Sequence, residues 1–401
     1  MRTTWNFHTA GQLTFGAGAV RLLGQLAARR QLERVLVVTD RTLVEAGLAV
    51  RVHDSLEAAG IAFDTFDGGE AEPSLGVAAR AIEHAREFQP GAVLGLGGGS
   101  NMDLAKITAT VFAHGGQPHD YFGFDRVPGP VLPLICIPTT AGTGSEVSHA
   151  AVLTDPENQI KVSTMSNWLR PSLAIVDPEL TYSCPAQVAA DSGIDALTHA
   201  IEAYTATDYD KLQVPPGESS SYEGRFPLSD CLAERAIELV GRHLVAAVKG
   251  PHQEEARQGM ALAATTAGLA FSNAGVALVH ALEYPLGGAL HCSHGAGNGL
   301  LLPYVMQFNL PERKASLARV ARLLGADVTG LDESQAAEKS VATVEQLKVD
   351  IGIPLRIRDL GGTEEQLPTF AEKSIAIKRL LWVNPRRASQ QDLLDILKSA
   401  Y

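Results

Sequence analysis

The chain has 401 residues, 45% of them hydrophobic and 19% charged, a balance that supports a folded protein with more than one core and excludes disorder along its length. Its formal charge of −12 offers no general attraction for polyanions and argues against nucleic acid and acidic membrane surfaces as partners. Cys136, Cys184, Cys231 and Cys292 form no CxxC pair, no apolar run reaches about 18 residues, and MRTTWNFHTAGQ lacks a signal-peptide core, so a cytoplasmic protein with reduced thiols is expected.

In chain order, RVLVVTD (34–40) reads as a buried strand and residues 41–60 as helix. IAFDTF (61–66) is a second strand, and residues 71–90 carry a helical period that Pro90 ends. GAVLGLG (91–97) is a third strand, followed by a glycine turn and a helix over 101–113. PLICIP (133–138) and LAIVDP (173–178) supply two more central strands. This alternation predicts an α/β domain with a mostly parallel sheet.

Beyond about residue 180 the pattern is helical throughout: 185–206, 229–250, 254–275, 311–325, 333–352 and 389–401. The expected organisation is therefore an α/β domain over 1–180 and an all-helical domain over 181–401. Between them in character is the polar segment 207–227, with paired prolines and no period. It reads as a surface loop of about 20 residues, either a tolerated insertion or a functional excursion.

GLGGGSNMDLAK (95–106) follows a strand and opens a helix, the context in which backbone amides and a helix start bind phosphate. It is neither a GxGxxG fingerprint nor a Walker loop. PTTAGTGSEVS (138–148) is a second hydroxyl- and glycine-bearing loop after a strand, and two such loops suit the ligand crevice of an open α/β sheet. Asp40, at the end of the first strong strand, either hydrogen-bonds a ribose hydroxyl, which favours NAD over NADP, or caps the next helix. Lys161 is either a cofactor contact or an ordinary exposed lysine.

In DSGIDALTHAIEAY (191–204), Asp195 and His199 lie one helical turn apart on one face, with Asp191 as the local competitor. HALEYPLGGALHCSHG (280–295) adds His280 and His294, which a chain reversal at Pro285 to Gly288 would bring together. One aspartate and three histidines make a mixed N/O site for Fe(II) or Zn(II).

GGGSNMDLAK, PTTAGTGSEVS, DALTHAIEAY, the His280 to His294 segment and NPRRASQQDLLDIL resemble the motifs of the iron-containing (group III) alcohol dehydrogenases, over nearly the whole chain. The resemblance implies an NAD-binding N-terminal domain, a helical metal and substrate domain, a cleft between them and a homodimer or larger homo-oligomer. By motif it implies Asp195, His199, His280 and His294 as metal ligands, with Fe(II) ahead of Zn(II). Gly97, Gly98, Gly99 and Ser100 match the pyrophosphate loop, and Asp103 belongs to the same motif. Thr139, Thr140 and Thr143 match the second cofactor loop, while Asp40 and Lys161 match ribose-side and cofactor-contacting positions. His291 is expected to line the pocket or support the ligands, and Cys292 to be packed and not nucleophilic.

Two departures stand out. Many members carry a further histidine where this chain has Tyr284, and segment 207–227 interrupts the usual helical spacing. Both resemble the hydroxyacid-oxoacid transhydrogenase branch. The reaction implied is reversible hydride transfer between NAD(H) and a primary or secondary alcohol and its aldehyde or ketone, with the proton passing through cofactor ribose hydroxyls, water and Tyr284 or His291. A transhydrogenase is the alternative; a maleylacetate-reductase-like, dehydroquinate-synthase-like or non-catalytic nucleotide-binding role fits the motifs less well.

Overall fold

The computed structural model describes residues 2–155, 160–215, 220–250 and 254–401. Two compact units emerge, one spanning His8–Cys184 and the other formed by Pro185–Tyr401 together with the residues before His8.

The first unit is built on β1 (Leu13–Phe15), α1 (Leu23–Ala28), β2 (Arg34–Val38), α2 (Arg41–Glu45), α3 (Leu48–Ala58), β3 (Ala62–Phe66), α4 (Leu75–Phe88), β4 (Ala92–Gly97) and α5 (Gly99–His114). It continues with β5 (Gly123–Phe124), β6 (Leu134–Pro138), β7 (Ala150–Asp155), β8 (Ile160–Met165) and β9 (Leu173–Val176). Six strands pair in the order β1-β9-β6-β4-β2-β3, all parallel. The central strands β2, β4, β6 and β9 are buried on both faces, as their near-continuous apolar sequences require, whereas the edge strands β1 and β3 are partly exposed. Val35 and Val37 of β2 share one core with Leu48, Val52 and Leu56 of α3, whereas Leu36 and Val38 share the other with Val77 and Ile82 of α4 and Ile107 of α5. That is the two-residue period of a strand covered on both sides.

The expected parallel α/β sheet is present, and local chemistry refines it. The helix expected over 41–60 is broken, because Gly47 adopts φ 75° and separates α2 from α3. Ser74 caps α4 by accepting a hydrogen bond from the Val77 amide, and Gln89, at φ 53°, ends it just before Pro90. A small sheet in the order β5-β8-β7 was not anticipated; its β7 and β8 are antiparallel.

The second unit is helical: α6 (Ala186–Thr205), α7 (Pro227–Lys249), α8 (Glu254–Ala274), α9 (Leu278–Leu290), α10 (His294–Leu323), α11 (Glu333–Ile351), α12 (Leu367–Ile375), α13 (Lys378–Val383) and α14 (Gln390–Ala400). Helix α6 is its axis, packed against α7, α8 and α10. The helix expected over 311–325 is the end of the much longer α10, which kinks at Arg313, two residues after Pro311. Helices α12 and α13 were not anticipated.

The segment 207–227 leaves and returns at one place. The Arg225 amide donates to the Thr207 carbonyl and the Tyr209 amide to the Arg225 carbonyl. Arg225 also pairs with Asp230 at 2.5 Å. Residues 216–219 of this loop lie outside the described residues. No single helix among the described residues is long and apolar enough to cross a membrane; α8 and α9 pass that test only as a pair, and they are bent by 104°.

Candidate functional site

In the helical unit, Asp195 and His199 sit on α6, His280 on α9, and His294 opens α10. The sequence brings α10 this close through Gly295, where any Cβ would collide with the Asp191 carbonyl oxygen of α6. Gly299 repeats the device one turn later, with a Cβ position 2.7 Å from Ile194. Small residues at i and i+4 thus let α10 dock closely on α6, Gly295 against its backbone and Gly299 against the Ile194 side chain.

One donor atom from each of Asp195, His280 and His294 lies within 4.8 Å of the others. Asp195 and His280 are buried and His294 is half-buried. His199 stacks on His280, with ring centroids 4.9 Å apart, and on Phe271 of α8 at 4.1 Å. Its Nδ1 is 3.8 Å from Asp195 Oδ2, buried, and has no hydrogen-bond partner. Asp191, the local competitor, is instead engaged by Gln187 at 2.8 Å.

Two carboxylates brace this group. His280 donates from Nδ1 to Glu202 at 2.6 Å, and His294 donates from Nδ1 to Glu283 at 2.6 Å. Each bond fixes the tautomer that leaves Nε2 as a lone-pair donor. Glu202 further accepts from the Val279 amide at 2.7 Å, at the open start of α9. The Asn298 amide nitrogen stands 2.8 Å from Asp195 Oδ1, 3.2 Å from His280 Nε2 and 3.1 Å from His294 Nε2. All three acceptors therefore point at one spot.

The electrostatics agree. Burial pushes the His199 imidazole down to about 4, although Asp195 opposes it. Burial would raise Asp195, but the three imidazoles and the Asn298 amide outweigh it and hold the carboxyl below the usual range. Neutral imidazole beside an ionised carboxylate, with an orphaned ring nitrogen alongside, fits a borderline divalent cation.

The expected reversal at Pro285 to Gly288 does not occur. Helix α9 runs through Pro285 to Leu290, held by buried Leu278, Val279, Leu282 and Leu286, and the loss of one amide donor does not break it. The chain turns instead at His291, whose φ of 52° ends the helix. His291 is exposed, and the structure does not bring it to the donor group; Tyr284, half-buried, lies 6.2 Å from His294 and 6.5 Å from His280 between ring centroids.

In the α/β unit, Gly97 ends β4 with φ 144°, Gly98 is the N-cap of α5 and Gly99 its first residue. A Cβ on Gly97 would collide with the Asn101 side chain, and one on Gly99 would come within 2.9 Å of Thr143. The turn thus presents bare peptide to the start of a 16-residue helix, a cradle for phosphate. The Thr139 amide donates to the Gly97 carbonyl at 3.0 Å, and the Cβ position of Gly98 is 3.5 Å from Thr140, so the two loops are neighbours.

The remaining expected cofactor residues all have internal partners. Asp40 caps α2, accepting from the Leu43 amide, and also accepts from Asn101 at 2.7 Å. Ser100 accepts from the Glu72 amide, and Lys161 pairs with Glu72 at 2.7 Å. Asp103 accepts from Ser145 at 2.6 Å and from the Val152 amide at 2.9 Å; burial raises its carboxyl against those bonds and against Lys106. Lys106, fully buried, donates to Ser145, Ser148 and the Ala150 carbonyl and so bolts α5 to the chain that follows β6.

Glu202, Glu283, Asn298 and Lys106 were not singled out in the sequence. A signal exists for two of them, since His199-x-x-Glu202 and His280-x-x-Glu283 share one spacing.

Residues 10–178 match the family model for iron-containing alcohol dehydrogenase, and residues 220–401 match that for the Fe-containing alcohol dehydrogenase family, C-terminal. The chain is 34% identical to NAD-dependent methanol dehydrogenase of Bacillus methanolicus, over 98% of this chain and 99% of that one. It is 37% identical to long-chain-alcohol dehydrogenase 1 of Geobacillus thermodenitrificans, over 96% and 94%. Its fold superposes on a solved 1,3-propanediol oxidoreductase with a TM-score of 0.93, 34% identity and full coverage of both chains.

Proposed function

The chain belongs to the iron-containing alcohol dehydrogenase family and is an NAD-dependent, metal-assisted alcohol dehydrogenase, and from that premise we propose that it interconverts an alcohol and its carbonyl partner at a four-residue metal site. The observation that carries this reading is the convergence of Asp195, His280 and His294, with two histidines each braced by a buried carboxylate. His199 is assigned as the fourth ligand on the strength of its orphaned Nδ1 beside Asp195. Fe(II) is assigned ahead of Zn(II).

When bound, a divalent ion supplies Lewis-acid polarisation of the substrate oxygen. The chain's own residues do the rest. Asp195 contributes the negative charge of the donor set. Glu202 and Glu283 keep the Nε2 lone pairs of His280 and His294 aimed inward. Tyr284 is assigned the substrate proton at its Oη because its ring stands beside His280 and His294, whereas His291 is exposed. The amides of the Gly97–Ser100 turn are assigned the pyrophosphate, with Thr139, Thr140 and Thr143 beside them. Asp40 is assigned the ribose side, where its charge disfavours a 2′-phosphate. NAD binding is thereby placed in residues 1–180 and metal and substrate in 181–401. A cytoplasmic homodimer or larger homo-oligomer is part of the same proposal.

The relatives named above act, by name, on methanol, long-chain alcohols and 1,3-propanediol. That spread supports the alcohol class without selecting a chain length. The test is anaerobic metal analysis paired with an NAD and NADP screen over alcohols and aldehydes, comparing apo, Fe(II) and Zn(II) protein. Turnover should vanish in apo protein and return with one ion. Metal-independent turnover, or metal retention with no nicotinamide-linked activity, would sink the proposal. Hydride exchange between a hydroxyacid and an oxoacid without added NAD would select the transhydrogenase alternative, which Tyr284 favours.

A further inference from the structure

Arg379 is the second residue of α13, half-buried, with its Nε sealed from solvent and without a hydrogen-bond partner. The other half-buried arginines of this unit are satisfied. Arg225 pairs with Asp230, Arg313 donates to the Thr205 and Ala206 carbonyls, and Arg386 donates to the Phe308 carbonyl. For Arg379 no carboxylate or carbonyl fills that role among the described residues. Its guanidinium instead lies 6.0 Å from the centre of the Tyr284 ring. Tyr284 is in turn the ring next to His280 and His294.

An arginine Nε–H sealed from water without an acceptor is costly, and a cation–π contact at that distance offsets only part of the cost. The planar guanidinium fork matches a carboxylate. We propose that Arg379 is a specificity-determining residue that binds a carboxylate on the substrate, making hydroxycarboxylates and the corresponding oxo-carboxylates the preferred substrates of this enzyme. The inference rests on the alcohol dehydrogenase reading and extends it. The metal donors take the hydroxyl end, and Arg379 takes the anionic end. Because the Tyr284 ring neighbours both stations, 6.0 Å from Arg379 and 6.2 Å from His294, the carboxylate belongs several bonds from the reacting carbon and not adjacent to it.

The experiment uses the metal-loaded enzyme with two probes of equal carbon count, 4-hydroxybutyrate and 1,4-butanediol. Wild type should favour the hydroxycarboxylate in kcat/KM. Arg379→Gln should lower the hydroxycarboxylate-to-diol ratio by roughly 10- to 100-fold, mostly through KM, the range for removing a charge-assisted hydrogen-bonding partner. Arg379→Lys, which keeps the charge and is the gentler change to packing, should retain part of the preference. Calorimetric titration with butyrate gives a readout that needs no turnover: wild type should bind it more tightly than Arg379→Gln. No preference in wild type, or an equal loss for both probes in Arg379→Gln, overturns the assignment. If no alcohol is oxidised by metal-loaded wild type, the dehydrogenase reading fails, and the butyrate titration still decides whether Arg379 holds a carboxylate.

Discussion

Glu202 accepts the Nδ1 proton of His280 at 2.6 Å, although the histidine nearest to it in sequence is His199 on its own helix. Glu283 likewise reaches forward to His294 although it follows His280 by three residues. The pairing is crossed: each carboxylate fixes an imidazole on the next segment, so the donor group is set by the packing of α6, α9 and α10 and not by any one helix.

Replacing either carboxylate by its amide should weaken metal binding by about 10- to 100-fold while leaving the fold intact. Metal content after dialysis against a graded series of chelators measures this for Glu202→Gln and Glu283→Gln. Glu202→Gln should cost more, because it also weakens the bond to the Val279 amide. Unchanged retention in both variants would contradict the bracing role.

Gly295→Ala should separate α10 from α6, since the added methyl meets the Asp191 carbonyl oxygen. The expected loss is on the order of 2 kcal/mol in denaturant unfolding, typical of overpacking against rigid backbone, together with reduced metal retention as His294 moves. Wild-type behaviour on both counts would show that the helices can part without consequence.

Lys106→Met leaves the Asp103 carboxylate buried without its cation, and should destabilise the protein by about 3 kcal/mol. It should also raise KM for NAD with metal content unaltered, because the tie between α5 and the chain after β6, the two segments proposed to hold the cofactor, is lost. A double variant, Lys106→Met with Asp103→Leu, should recover part of the stability and none of the NAD affinity. Recovery of both would mean that Lys106 serves the fold alone.

Lys348 is buried, donates to the Leu300 carbonyl at 2.9 Å, and is pushed down to about 8, chiefly by burial. The unfolded chain then binds more protons than the folded one between about pH 8 and the ordinary lysine value near 10.4, so stability rises with pH across that window. Below it the penalty of burying the ammonium is fully present. Wild type should gain on the order of 3 kcal/mol over the window relative to Lys348→Met. Parallel pH curves for the two proteins would refute this.

The parallel sheet was legible because β2, β4 and β6 are apolar on both faces and sit between helical periods. Asp195 and His199 were legible because their spacing puts them on one helical face. What the sequence hid were partnerships settled at a distance. A glutamate three residues after a histidine reads as an ordinary solvent-facing residue until the next helix arrives beside it. Pro285 reads as a break, yet the buried leucines around it carry α9 through. The reversal falls on His291, where a left-handed backbone at a non-glycine residue leaves little trace in composition. Arg379 was hidden for the same reason, since its surroundings come from α9 and not from its own short helix.

The closed neck of the 207–227 excursion has a practical consequence. Thr207, Tyr209 and Arg225 exchange backbone hydrogen bonds where the chain departs and rejoins, so the excursion is a branch closed at its base. Its return limb is anchored: Tyr222 is buried, and the Glu223 and Gly224 amides donate to the Asn273 and Ala274 carbonyls at the end of α8. Closing such a branch costs entropy that grows only slowly with its length. The residues between the neck and that anchored limb are therefore the place to shorten, exchange or tag the chain, while Tyr222, Glu223 and Gly224 have to stay for the helices that carry the metal donors to remain in register.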